Sequence, residues 1–168
     1  MKTIFGFPVL VFSLGLLGGL AYADEWSDLN KQVTDLYEKG AYEEALPLAE
    51  KSLSLAEQTY GSGNPETALA LNNLAMLYKK QGRYADAKPL YERALKISET
   101  LVGPDHPDVT VALNNLALLY AAEGDYPTAE NMSLRALNIL TKAYGKDDTT
   151  VVQAYQRYDD LKRQAAGH

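Results

Sequence analysis

The sequence predicts an all-α fold, a solenoid of three helical hairpins closed by one further helix, and three observations carry that expectation. Shifted by 42 residues against itself, segment 68–109 matches segment 110–151 at 18 of 42 positions, an internal period in the range of stacked helical hairpins. Within each copy the apolar residues recur at steps of three and four, the spacing that puts them on one helix face. A glycine divides each copy where a helix end favours a residue tolerant of positive φ.

The first 23 residues stand outside the repeats. Met1 and Lys2 give a short positive start, Ile4 to Leu20 is uncharged and apolar, and Ala21-Tyr22-Ala23 is a small-x-small site followed by Asp24 and Glu25. This is the layout of a secretory signal peptide cut after Ala23. The alternative is an uncleaved membrane anchor, which Pro8, Gly15, Gly18 and Gly19 weaken as a spanning helix and in which the A-Y-A site would have no role; no stable membrane span is expected after cleavage. The mature chain then has 145 residues at a formal charge of −7. The expected location is periplasmic or secreted, and a chain with no Cys must take its stability from packing.

The repeats fill 24–146, divided at about 24–62, 63–104 and 105–146. In the second copy Leu71, Leu74, Ala75 and Tyr78 mark one helix, Gly82 interrupts, and Ala87, Leu90, Tyr91, Ala94 and Leu95 mark another. The third copy repeats this through Leu113, Leu116, Ala117, Tyr120, Gly124, Ala129, Ala136 and Leu137. The first is the most divergent, with Leu29, Val33, Leu36, Gly40, Tyr42, Ala45 and Leu53 in register. The alanines would let paired helices approach closely. Tyr78, Tyr84, Tyr120 and Tyr126 would fill larger gaps with the hydroxyl kept at an edge, which accounts for part of the 12 Tyr against 3 Phe.

Between copies, Gly61 to Pro65 and Gly103 to Pro107 place Gly after one helix and Pro in the first turn of the next, with Asp105 and Asp108 near a positive helix end. Pro47 and Pro89 are expected near the first turn of the second helices, where a missing N–H costs little. After Gly145, residues 147–168 form a capping helix and tail. The helix is expected over 149–164, with Val151, Val152, Tyr155, Tyr158 and Leu161 continuing the apolar stripe and Gln153, Gln156, Arg157 and Asp160 on a polar outer face that closes the array.

Composition excludes several functions. With no Cys there is no disulfide, thiolate nucleophile or Cys-ligated metal. A net charge of −6 and a pI near 4.9 argue against nucleic acid as a partner. Of two histidines, His106 precedes Pro107 in a linker and His168 is the last residue. Asp147-Asp148 and Asp159-Asp160 are adjacent and point apart on a helix, so neither forms a catalytic pair or metal cage, and capping accounts for the first. No nucleotide-binding or nucleophile-elbow motif occurs. Asn131-Met132-Ser133 is a glycosylation sequon in the middle of a helix. The chain is therefore expected to be no enzyme and to need neither cofactor nor metal.

The pattern resembles the tetratricopeptide repeat in its 42-residue, kinesin-light-chain-like form. The residues carrying the match are L-x-x-L-A-x-x-Y at Leu71 to Tyr78, G-x-Y-x-x-A at Gly82 to Ala87, then Ala94-Leu95, with their counterparts in the third copy and the linker GPDHPDV at Gly103 to Val109. Copy one departs at Gln32, where Leu is expected, and at Ala49, where a larger apolar residue is usual. The resemblance implies a right-handed α-solenoid whose first helices line a concave groove for a peptide or partner protein. By register that groove would hold Asn30, Lys31 and Thr34 in copy one, Leu69, Asn72, Asn73, Met76, Lys79 and Lys80 in copy two, and Val111, Asn114, Asn115 and Leu118 in copy three.

Amide side chains both donate and accept, so they can hold the backbone of a bound segment. Met76 and Leu118 would add adaptable apolar contacts. An alternative is that one Asn of each pair ties its own helix or the neighbouring hairpin. Co-chaperones of this family grip a terminal carboxylate with basic residues in the third repeat. Val111 and Asn115 stand at those positions, so a chaperone-tail clamp is not expected. Lys79 and Lys80 could attract an acidic segment or simply face solvent. The function expected is an exported protein-binding module or scaffold; the alternative is a self-assembling component of an envelope complex, stacked end to end.

Overall fold

The computed structural model describes residues 13–167, with side chains from 23 onward. The leader from Met1 to Phe12, and every leader side chain before Ala23, lies outside the described residues. Among those described there are seven helices and no strand: α1 (Ser13–Glu38), α2 (Tyr42–Tyr60), α3 (Pro65–Lys80), α4 (Tyr84–Val102), α5 (Val109–Glu123), α6 (Tyr126–Tyr144) and α7 (Thr149–Ala166). Helices pair as α1/α2, α3/α4 and α5/α6, each hairpin packs on the next in chain order, and α7 packs on α6.

Helix α1 runs through Ala23 without a break. The 42-residue shift sets Pro65, the first residue of α3, onto Ala23. The part of α1 that belongs to the repeat therefore starts at Ala23, in the middle of the helix.

Hairpin turns are made alike in all three copies. Ala41 N–H donates to Leu36 O (2.9 Å), Arg83 N–H to Tyr78 O (2.9 Å) and Asp125 N–H to Tyr120 O (2.8 Å). These six-to-one bonds close each first helix around a glycine at positive φ, the motif that satisfies a helix's last carbonyls. The linkers between copies use a different conformation: Gly61, Gly103 and Gly145 combine φ near +90° with ψ of 158°, 154° and 163°. Asp148 caps α7 as expected, accepting from Thr150 N–H at 2.7 Å, and Asp125 caps α6, accepting from Thr128 N–H at 3.2 Å. Asp108 sits at the N-cap of α5 without a side-chain cap bond.

Two expectations need correction. Pro47 and Pro89 are the sixth residues of α2 and α4, one turn deeper than expected. Each lacks the N–H that would meet the carbonyl four residues back, on Glu43 or Ala85; both residues are exposed, so water can take that carbonyl. Pro107 precedes the cap of α5 and lies outside its first turn, unlike Pro65 in α3.

Packing rests on small residues. Ala45, Ala87 and Ala129, together with Ala75, Ala117, Ala94 and Ala136, have no exposed surface, and around them Leu71, Leu77, Leu113 and Leu119 are fully buried. Each such leucine contributes about 2 kcal/mol. The clusters bridge neighbouring hairpins, as where Ala75, Ala87 and Tyr91 meet Leu116 and Leu119, or Ala117 and Ala129 meet Leu161. Tyr91 is completely buried where the other copies have Ala49 and Ser133, its hydroxyl has no partner among the described residues, and burial holds its phenol well above the ordinary range. Tyr78, Tyr84, Tyr120 and Tyr126 are half-buried as anticipated, and Tyr78 donates to Glu50 at 3.1 Å.

On α7, Val151, Ala154 and Leu161 are buried and the half-buried Tyr158 donates to Glu130 at 3.3 Å. Val152 and Tyr155 are not covered, contrary to the expected stripe; Tyr155 is 57% exposed. Tyr155 corresponds to Leu113, which α6 seals completely, and no helix follows α7 among the described residues.

The two glycine conformations give a measurable contrast. Neither Gly103 nor Gly124 would bring a Cβ into contact with anything, so only backbone preference decides. Gly124→Asn should cost at most about 1 kcal/mol, because Asn visits the left-handed helical region. Gly103→Asn should cost about 2–3 kcal/mol, because its φ and ψ are nearly exclusive to glycine. Urea unfolding midpoints measure both, and equal losses would contradict this assignment.

Candidate functional site

The odd-numbered helices touch one another, α1 with α3 and α3 with α5, while the even-numbered ones make no comparable contact. Helices α1, α3 and α5 therefore lie side by side along one face of the array, the inner face by analogy with the family's solenoids. Of the residues picked from the sequence, Leu69, Asn72 and Val111 line one cleft, Thr34, Asn73 and Met76 line another, and hydrogen bonds join Asn30 to Asn73 and Asn72 to Asn115.

The amides are not equivalent. Asn73 Nδ2 donates to Asn30 Oδ1 at 2.7 Å, and Asn115 Nδ2 donates to Asn72 Oδ1 at 3.2 Å. Both bonds are partly buried and join successive repeats. Each member retains some hydrogen-bonding capacity, but four of the five amides are committed to holding neighbouring helices in register. Asn114 is half-buried and has no hydrogen bond among the described residues.

The apolar members are more open. Leu69, Val111 and Leu118 are exposed, Val111 at 61%. Leu69, Asn72 and Val111 line a cleft of about 250 Å³ with Leu101 and Val102 from the end of α4, Pro65, Ala68, Ser98 and Asp108. Leu101 and Val102 escaped the sequence reading because they come from an even helix, whose last turn reaches this cleft. Met76 is half-buried and lines a hollow of about 40 Å³ with Val33, Thr34, Tyr37 and Asn73, room for little more than one water. Thr34 donates to its own helix at Asn30 O (3.0 Å).

The cations at the far end differ as well. Lys79 is half-buried, and burial followed by the neighbouring charge of Lys80 lowers its pKa below the usual lysine value. The Lys80 ammonium lies 5.7 Å and 5.9 Å from the ring centres of Tyr37 and Tyr42, close enough for cation–π attraction. Lys31 is exposed. On the outer side a repeated ion pair fixes the linkers: Arg93 meets Glu57 at 2.5 Å and Ser62 O at 3.5 Å, while Arg135 meets Glu99 at 2.7 Å and Pro104 O at 2.9 Å. The 42-residue recurrence of this arginine was the signal that could have found it. Among the described residues no group of three or more His, Asp or Glu is placed to hold a metal ion.

The tetratricopeptide repeat profile matches residues 29–100 and 68–142. The chain belongs to the tetratricopeptide repeat family. Members of the family generally serve as protein-interaction scaffolds. Similar solved structures include BtubC (BKLC) from P. vanneervenii, with a TM-score of 0.75 at 24% identity over 84% of this chain and 56% of that one. A Podosopora anserina protein described as a kinesin light chain with nearly identical TPR-like repeats gives 0.76 at 18% identity, over 84% and 67%. At these identities the likeness is one of fold, and the chain spans only about 56% of the first relative's length. No curated protein matches the chain.

The two classes of amide separate by mutation. Asn73→Ala should lower stability by about 1 kcal/mol, the worth of a partly buried hydrogen bond, whereas Asn114→Ala should stay within about 0.5 kcal/mol. Chemical unfolding of both variants checks this, and an equal loss would show that Asn114 is also structural.

Proposed function

We propose that this chain is an exported scaffold that holds a peptide or partner protein against its inner face, with no catalytic role. The observation that carries the reading is the exposure of Leu69 and Val111 in one cleft with Asn72, and of Leu118 two turns further along α5. A folded chain that leaves aliphatic side chains open on a concave surface has a place for another molecule to cover them. The Asn residues contribute in two ways: the pairs hold the repeats at the spacing a ligand must match, and Asn114 contacts it.

Export follows from the leader layout at 1–23, with the chain working in the periplasm or outside the cell. Among the described residues no helix is long and apolar enough to cross a membrane. Affinity chromatography of an exported fraction tests both parts of the proposal. Wild-type chain should retain a partner that a Val111→Glu, Leu118→Glu variant of unchanged melting temperature does not. Its mass should correspond to a start at Asp24. Equal recovery by both proteins would remove the groove reading, and a full-length mass would remove cleavage.

A second reading is favoured by Val152 and Tyr155, exposed on the last helix where earlier copies are covered: end-to-end stacking of chains in an envelope assembly. Against it, Asp159 and Lys162 occupy the places of the buried Ala117 and the half-buried Tyr120, so a stacked helix would have to bury charge. Light scattering at tens of micromolar decides, since a monomer there would eliminate stacking.

A further inference from the structure

Helix α1 runs unbroken through Ala23, so in the uncut chain the N–H groups of Asp24, Glu25, Trp26 and Ser27 meet the backbone carbonyls of Leu20 to Ala23, four places back. Hydrolysis of the Ala23–Asp24 bond takes up one water, leaves a carboxylate on Ala23 and an α-ammonium on Asp24, and removes all of those acceptors. The chain that remains has a new cation and a set of unbonded donors at one helix end. What they meet there decides how the first repeat closes.

Three shielded polar atoms with no hydrogen-bond partner among the described residues belong to this junction: Trp26 Nε1, Thr59 Oγ1 and Glu66 Oε2. The repeat places them together. Pro65, Ala68, Leu101, Val102 and Asp108 line a single cleft, and 42 residues before them stand Ala23, Trp26, Thr59, Tyr60 and Glu66. The register of the inner face agrees, since the Asn30–Asn73 bond, carried back two turns on both helices to the same faces, sets Ala23 beside Glu66. Tyr60 ties the group together. Its ring meets that of Trp26 with centroids 5.4 Å apart, and burial, followed by the charges of Glu66 and then Asp24, raises its phenol above the ordinary range.

We propose that Glu66 receives the α-ammonium group that removal of the leader creates at Asp24, joining α1 to α3 once the chain is cut; this rests on cleavage after Ala23. Glu66 Oε2 lacks a donor in the uncut chain, and cleavage supplies one of opposite charge. The neighbouring carboxylates are less suited. Glu25 is held by Lys51 at 2.8 Å, and Glu57 near the end of α2 is held by Arg93. The side chain of Asp24 is favoured by the free N–H groups of its own new first turn. An α-ammonium opposes the dipole of the helix it starts, so it is stabilised by a carboxylate from another helix. Thr59 Oγ1 offers a further, neutral acceptor.

The test uses the chain expressed with its leader and recovered from an exported fraction, its start at Asp24 checked by mass. In a sample labelled with ¹³C-aspartate, the α-carbon signal of Asp24 follows titration of the ammonium. Its midpoint should lie at least about one pH unit above the ordinary α-amino value of about 7.7–8.0, a tenfold gain in proton affinity. Glu66→Gln should return it to the ordinary value, and Glu66→Asp, one methylene shorter, should fall between. With the folded pKa raised above the unfolded one, the stabilisation is complete below about pH 8 and is lost as pH rises through roughly 9. The melting temperature of the cut wild-type chain should therefore fall across that window, and that of Glu66→Gln should fall less. A Glu66 with only a structural role would change stability without moving the midpoint.

An ordinary midpoint in the cut chain overturns the proposal and leaves export standing. A raised midpoint that survives Glu66→Gln also overturns it, assigning the ammonium to Asp24 or Glu25 instead. A full-length mass overturns it together with cleavage.

Discussion

Ala75, Ala87, Ala117 and Ala129 lie without exposed surface where hairpin meets hairpin, and the closeness of approach that they permit is the constraint from which the remaining geometry follows. A methyl group at the crossing lets the two backbones come near enough for flanking leucines to interlock. A larger residue would push the hairpins apart and alter their angle. Because α1, α3 and α5 also touch in turn, their free sides form one continuous face.

That face has to be held against sliding, since apolar packing by itself is non-directional. The Asn30–Asn73 and Asn72–Asn115 bonds supply direction on the inner side, and Arg93 and Arg135 supply it on the outer side by gripping both the preceding helix and the linker. Each device recurs with the repeat. Neighbouring repeats are thus pinned on both faces, and a ligand meets a surface already shaped, with less ordering left to be done on binding.

Much of the architecture was legible in the residues. Periodicity placed the hairpins, the glycines marked where first helices stop, and the alanine stripes named positions of close helix approach. The site was legible only in part. The row of positions on the inner face came from register, but Asn73 and Asn30 look alike in sequence whether they face a ligand or each other. Leu101 and Val102 were invisible as groove residues because their own helix lies on the outer layer. Tyr155 read as part of an apolar stripe because it falls one period after Leu113; what differs is that no helix follows α7 among the described residues, which no local pattern encodes.

By itself, then, the sequence determined the helices, their pairing into hairpins and the order of stacking, because all of these rest on contacts between residues close along the chain and repeated every 42 positions. Tertiary structure decided the partners of the polar groups. Asn72 bonds Asn115 while Asn114 makes no hydrogen bond among the described residues, and Asp159 and Asp160 both pair with Arg163. Such choices depend on the rise and angle between successive hairpins, which shift the pairing by one residue from the repeat length, and that offset exists only once the hairpins have packed.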